Sequence, residues 1–151
     1  MKRYTERDVL KVYRSSAVKT VDSLWEAFQS SNKNIHAGSF IQAIWRADYK
    51  INDEEEYDKA YVYEITFKLG KIYPELIHDS GYDVDQVNED KYKPQYDTLL
   101  YHNTGEGFSD RENLSVIILN KNNIEKIELH SAWTSDTLKD YAQKNFSRYT
   151  K

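Results

Sequence analysis

Cysteine is missing from this 151-residue chain, and proline, glycine and methionine are scarce, at two, five and one residues. Without cysteine there is no disulfide, no thiolate nucleophile and no Cys-based zinc site. No Gly/Ser/Pro-rich linker, low-complexity tract or internal repeat interrupts the chain, so one domain over residues 1–151 is expected. No apolar run approaches the ~18–20 residues of a membrane span, and the opening MKRYTERDVL lacks the apolar centre of a signal peptide. These absences point to a cytoplasmic protein with no membrane partner. Positive charge is in deficit too: 21 basic against 25 acidic side chains leave a net charge of −4. No general field therefore attracts nucleic acid, and nonspecific DNA or RNA binding is not expected.

What the chain does have is aromatic bulk, with 13 Tyr, 5 Phe and 3 Trp to build a core and a wet surface. VLKVYRSS, from Val9 to Ser16, reads as a short strand. Val21, Leu24, Trp25 and Phe28 recur at helical spacing, predicting a helix over Thr20 to Gln29. A second helix follows the HAGS turn. Ser39 caps it, Gln42 completes a capping box, and the expected buried stripe is Phe40, Ile41, Ile44 and Trp45. The clearest strand is YVYEITFKL, in which Tyr61, Tyr63, Ile65, Phe67 and Leu69 face a core, and Val62, Glu64, Thr66 and Lys68 face away. Gly70 ends it.

IYPELI, from Ile72 to Ile77, reads as a short edge strand, since Pro74 removes a ladder donor. A polar, tyrosine-rich loop covers Asp79 to Asp97. Strands resume at Thr98 to Tyr101, Leu114 to Leu119 and Ile124 to Leu129, the last two joined by a turn at Asn120 to Asn123. Leu138, Tyr141, Ala142 and Phe146 suggest a closing helix. Early helices and late short strands, without strand–helix–strand alternation, give an α+β class with mostly antiparallel sheets. There is no GxGxxG and no GxxxxGK[ST], hence no helix-based phosphate cradle.

Other patterns carry less. His36, His78, His102 and His130 never pair at helical spacing, so no metal site is expected. Asp53, Glu54, Glu55, Glu56 and Asp58 form a charge run that reads as a solvated loop, and Asp79, Asp83, Asp85, Glu89 and Asp90 do not fit a calcium loop. Such acidic stretches also suit docking on a basic partner. Tyr82, Tyr92, Tyr96 and Tyr101 in or beside the long loop suit either packing or stacking on a flat ring.

Three stretches in order carry a resemblance: VYRSS (Val12 to Ser16), HAGSFIQAIWRA (His36 to Ala47) and YDTLLYHNTGEGFSDRENLSVIILNKNNIEKIEL (Tyr96 to Leu129). The third has a strand ending in Tyr-x-Asn, a nearby Glu, a variable loop, an apolar strand, an Asn-x-Ile turn and a final strand. In these the chain resembles the ADP-ribosyltransferase fold, in the small divergent versions carried by phages and mobile elements, some within large polyvalent proteins. The resemblance implies two small, roughly perpendicular sheets with NAD, the substrate, held in the cleft between them and helices at the flanks. It implies an enzyme that cleaves the nicotinamide–ribose bond and passes ADP-ribose to a protein or nucleic-acid target, or to water.

On that resemblance Glu106 matches the catalytic carboxylate, whose hydrogen bond to the ribose 2-hydroxyl strengthens as an oxocarbenium-like charge develops. Gly105 and Gly107 would let backbone approach the nucleotide. Arg14 would serve a phosphate or ribose oxygen, with His36, Ser39, Tyr101 and Asn103 lining the NAD site. Each has a plainer alternative: Glu106 a solvated turn residue, Arg14 an ion-pair residue, Ser39 a helix cap, Asn103 a turn cap. The Ser-Thr-Ser of the family's middle strand is absent. With the acidic loops, that leaves a second reading open, an inactive member of the fold that binds or inhibits a host protein.

Overall fold

The structure, a computed structural model, describes residues 4–75, 77–79, 90–103 and 114–145, with the main chain alone at 77–79, 102–103 and 114. The class is α+β. In chain order the described elements are β1 (Val9–Ser16), α1 (Val21–Ser30), β2 (Ile35–Ala37), α2 (Phe40–Asp48), a π-helical turn (Tyr49–Asp53), β3 (Lys59–Lys68), β4 (Ile77–Asp79), β5 (Thr98–Asn103), β6 (Leu114–Ile118), a 3-10 turn (Lys121–Asn123), β7 (Ile124–Thr134) and α3 (Ser135–Asn145). They form two small sheets, ordered β1-β3-β7 and β2-β6-β5-β4. Every pairing is antiparallel except β4 with β5. The sheets meet at one corner, where the Tyr13 N–H donates to Gly38 O at 2.7 Å and the Gly38 N–H returns to Tyr13 O at 3.1 Å.

The alternation in β3 organises the interior. Tyr63, Ile65 and Phe67, all with no exposed surface, turn toward a core shared with Val12 of β1, Ile35 and Ala37 of β2, Val116 and Ile118 of β6, and Leu24 and Phe28 of α1. The opposite face departs from expectation. Ala60 and Val62 are also fully buried, beneath Ala43, Ile44 and Ala47 of α2 and Leu138 and Ala142 of α3. Only the distal half of that face carries the solvated ladder, with Lys11 3.7 Å from Glu64 and Lys126 2.6 Å from Glu128.

The capping box forms as predicted: Gln42 N–H donates to Ser39 Oγ at 3.2 Å, and Ser39 N–H donates to Gln42 Oε1 at 2.8 Å. Gly38 is needed here, since a Cβ would stand 2.1 Å from Gln42 Oε1. The buried stripe of α2 is rotated from the expected one. It comprises Gln42, Ala43, Ile44, Ala47 and Asp48, whereas Phe40, Ile41 and Trp45 are half-buried. The two alanines let the helix lie close on the sheet, which turns the bulkier side chains to its flanks.

Of the strand expected over Ile72–Ile77, residues 73–75 take no part in strand pairing and only Ile77 lies in a strand, as the first residue of β4. The expected segment otherwise makes one isolated bridge, Ile72 to Thr98, and the paired segment is the later β4, running parallel to β5 at the sheet edge. His36, expected in a turn, lies within β2, and β7 runs on past Leu129 to Thr134. Gly70 closes β3 with φ of +64°, a left-handed conformation that suits glycine, and a Cβ there would lie 2.2 Å from Asp97 Oδ2. Phe146, like Tyr82, lies outside the described residues.

Candidate functional site

The corner where the sheets meet gathers three of the residues singled out by sequence. Arg14 follows Tyr13 on β1 and shares the face of Val12, which turns its guanidinium toward the core rim rather than outward. There its Nη1 donates to the His36 carbonyl at 2.7 Å, and its guanidinium lies 5.7 Å from the Phe28 ring centroid. Arg14 is therefore tied to main chain and an aromatic face. Among the described residues no carboxylate pairs with it. Burial pulls its pKa below the ordinary arginine value and the nearby Arg46 charge adds to the effect, opposed by Tyr101 and Tyr57.

His36 and Tyr101 meet on the outer face of the second sheet. Tyr101 Oη is 3.5 Å from His36 Nδ1, and the rings contact edge-on with centroids 5.9 Å apart. In register, His36 sits opposite Ile117 and Tyr101 opposite Ser115. Ser115 is buried, and its hydroxyl donates to Gln42 Oε1 at 3.2 Å, so the amide that caps α2 also pins that helix to β6. A chain of contacts thus runs from Arg14 through the His36 residue and Tyr101 to Ser115 and Gln42, drawing on β1, β2, β5, β6 and α2.

Tyr101 is itself buried, sharing a small cluster with Leu99, Ile117 and Leu119. Tyr92 and Tyr96 pack on that cluster beside Tyr73, with ring centroids 4.7 and 5.3 Å from it. For those two loop tyrosines packing is the role seen. The Ser39 hydroxyl is engaged in the α2 cap. Asn103 is the last residue of β5, its main chain in register with Asp79 of β4. Its side chain, together with Glu106, Gly105 and Gly107, lies outside the described residues.

Two residues not singled out from sequence act electrostatically on Arg14. Arg46, exposed on α2, lies one helical turn beyond Gln42 on the same face. Its signal was the i, i+4 spacing from the capping glutamine. Burial and then the Glu56 charge raise the phenol pKa of Tyr57, half-buried before β3, above the ordinary value, opposed by the charges of Lys50, Arg46 and Arg14. The assembly offers guanidinium and phenol donors together with an imidazole, the set suited to an anion and sugar hydroxyls. Among the described residues no three His, Asp or Glu side chains converge as metal ligands, and no helix is long and apolar enough to cross a membrane.

No protein-family model and no curated protein matches this chain.

Proposed function

We propose that this protein is an NAD-consuming enzyme of ADP-ribosyltransferase type, a mono-ADP-ribosyltransferase or an NAD glycohydrolase, acting at the corner between the two sheets. The observation that carries the reading is Arg14: a guanidinium that, among the described residues, makes one hydrogen bond, to the His36 carbonyl at 2.7 Å, with the His36–Tyr101 pair beside it and Tyr101 on the strand that leads toward Glu106. A partly buried arginine with no carboxylate partner among the described residues has forked donors suited to an anionic ligand.

In this reading Arg14 holds a phosphate or ribose oxygen of NAD, with His36 and Tyr101 bordering the sugar. The bond between nicotinamide nitrogen and ribose C1 breaks, and its electron pair leaves with nicotinamide. The Glu106 carboxylate accepts a hydrogen bond from the ribose 2-hydroxyl as positive charge develops on the ring. Water, or a nucleophile on the target, then bonds to C1 and loses a proton. The coarse α+β architecture of two sheets agrees with this chemistry without being specific to it.

The test is release of nicotinamide from labelled NAD, with and without cell lysate, by wild type and Glu106→Gln. Wild-type turnover is expected to fall by at least about 100-fold in the variant, the scale on which loss of one transition-state hydrogen bond acts. Equal turnover by both would remove Glu106 from the chemistry. NAD binding without any turnover by wild type would leave a binding module on the same scaffold.

A further inference from the structure

Two hollows of like composition adjoin the first residues of α3. The larger, of about 580 Å³, is lined by Trp133 near the end of β7 and by Asp136, Asp140, Tyr141 and Lys144 of α3. The smaller, of about 430 Å³, is lined by Glu55, Tyr57, Asp58 and Ser135. Ser135 and Asp136 are consecutive, which makes the hollows neighbours, and each sets at least one half-buried aromatic ring beside two exposed carboxylates. Local packing builds both. Trp133 Nε1 donates to Ser131 Oγ at 2.8 Å, which orients the indole, and the Tyr141 ring meets it edge-on with centroids 5.4 Å apart. Phe40 of α2 packs on both rings, its centroid 6.4 Å from each. At the smaller hollow, Asn52 ties the π-helical turn to α3 by accepting from Ser135 Oγ at 2.5 Å.

Charge says what such hollows take. Among the described residues Glu55, Asp58 and Asp136 have no ion-pair partner, and Asp140 has only Lys144, at 3.1 Å. Asp136 stands in the first turn of α3, where its charge also suits the helix dipole, a role that uses none of its hydrogen-bonding capacity. The Lys144 and Asp140 side chains are 70% and 67% exposed, so water screens their attraction and a competing cation displaces the ammonium readily. Anions are repelled from both hollows, and an apolar occupant would strip water from carboxylates without replacing it. A guanidinium meets both demands: it lies flat on an aromatic face while its N–H groups donate to the carboxylates at the rim.

We propose that the two hollows form a docking surface for a basic, arginine-bearing segment of a partner protein. One guanidinium lies against Trp133 and Tyr141 and donates to Asp136 and Asp140 in place of Lys144. A second lies against Tyr57 and donates to Glu55 and Asp58. The chain's net charge of −4 favours the approach of such a segment. Lysine fits less well, as a point charge without the planar fork. The surface uses neither Arg14 nor the His36–Tyr101 pair, so it stands whether or not NAD is cleaved at the sheet corner.

Fluorescence anisotropy of labelled hexa-arginine peptide with the full chain, in ~150 mM salt, tests it. Wild type is expected to bind hexa-arginine at least about threefold more tightly than hexa-lysine and at least about 10-fold more tightly than the neutral hexa-citrulline. Asp136→Asn combined with Asp140→Asn should weaken binding at least about 10-fold, and so should Glu55→Gln combined with Asp58→Asn. Lys144→Ala should tighten it about threefold by removing the competing ammonium, whereas Lys139→Ala, the same charge change on the same helix outside the hollow, should tighten it less than half as much. Asp22→Asn combined with Glu26→Gln takes two exposed charges from α1 and should change binding by less than about twofold. The replaced carboxylates are exposed, so these variants are expected to fold, and a thermal melt verifies it. Equal weakening by the α1 pair and the α3 pair would show general charge attraction and overturn the inference. So would hexa-lysine or hexa-citrulline bound as tightly as hexa-arginine, or no binding of hexa-arginine at ~1 mM. Sedimentation showing a dimer that Asp136→Asn with Asp140→Asn dissociates would make a second copy of this chain the occupant, and would overturn it too.

Discussion

Val62 tests the architecture that carries the site. Its side chain lies on the face of β3 opposite Tyr63 and Phe67, has no exposed surface, and packs in the cluster formed with Ala43, Ile44 and Ala47 of α2 and Leu138 and Ala142 of α3. Val62→Ala removes two methyl-sized groups from this contact. At ~0.8 kcal/mol each the transfer loss is about 1.6 kcal/mol. A residual cavity of roughly 20–50 Å³ adds about 0.5–1.2 kcal/mol at ~24 cal/mol per Å³. The expected total is about 2–3 kcal/mol. With a urea m-value of roughly 2 kcal/mol per molar, the unfolding midpoint should fall by about 1–1.5 M with the slope unchanged. Lys68→Ala, exposed at the far end of the same face, should shift it by no more than about 0.5 kcal/mol. Two substitutions equally mild in urea would mean that α2 and α3 do not cover β3, and the helix bearing Gln42 and Arg46 would lose its seat.

Two further outcomes test other supports of the fold. Asp97 sits where Gly70 turns the chain. Burial opposes its charge, but the N–H of Lys71 at 2.9 Å and the amides of Asn120, at 3.0 Å, and Asn123 outweigh that and hold its pKa below the ordinary value. A carboxylate lowered in the folded state stabilises above its unfolded pKa of about 4 and loses that contribution as pH falls through the lower folded value. Asp97→Asn should therefore cost about 1–2 kcal/mol at pH 7 and flatten the decline in stability below about pH 4; parallel pH profiles for variant and wild type would refute the assignment. Lys121 caps α1 from across the fold, its Nζ donating to Phe28 O at 2.5 Å and Ser31 O at 2.6 Å. Lys121→Met should cost about 1–2 kcal/mol by urea melt and speed amide exchange in the last turn of α1, whereas unchanged exchange there would show the cap to be idle.

What the sequence revealed was local. The capping box needed only Ser39 and Gln42, three residues apart, and its geometry follows from their side chains. The inward row of β3 was equally legible, because alternation is a property of one strand. The outward row was not. Whether Ala60 and Val62 meet water depends on two helices arriving from either side of β3 in sequence, and periodicity carries no record of that. Ile72–Ile77 failed for a related reason: the strand composition was right, but pairing passed to Ile77–Asp79, with Pro74 among the residues left outside the ladder. The corner itself was half legible. Arg14, His36 and Tyr101 came from a resemblance of motifs, while Arg46 and Tyr57 emerged only once α2 and β3 were set against β1.

The backbone between β2 and β3 carries two unusual local conformations. A connection meant only to join α2 to β3 has no need of a π-helical turn, which adds a residue to the helical circuit, or of a non-glycine residue in the left-handed region, which costs on the order of 1 kcal/mol. Both occur within Tyr49 to Glu55, and Gly38, whose missing Cβ is required for the capping amide, opens the same segment. Among the side chains carried by this stretch are Ser39, Gln42, Arg46 and Tyr57. Two of them fasten the helix start to the sheets, and the other two share an electrostatic neighbourhood with Arg14. A π turn pinned by Asn52 between Asp48 and Ser135 also holds its shape through α3, so the placement of Tyr57 depends on the packed helices and not on the loop alone. Unfavourable local geometry persists where surrounding structure fixes it, and here that structure is the buried face of β3 with its two helices. The core that stabilises the fold is thereby the same one that seats α2 against β3 and beside β1, the strand that carries Arg14.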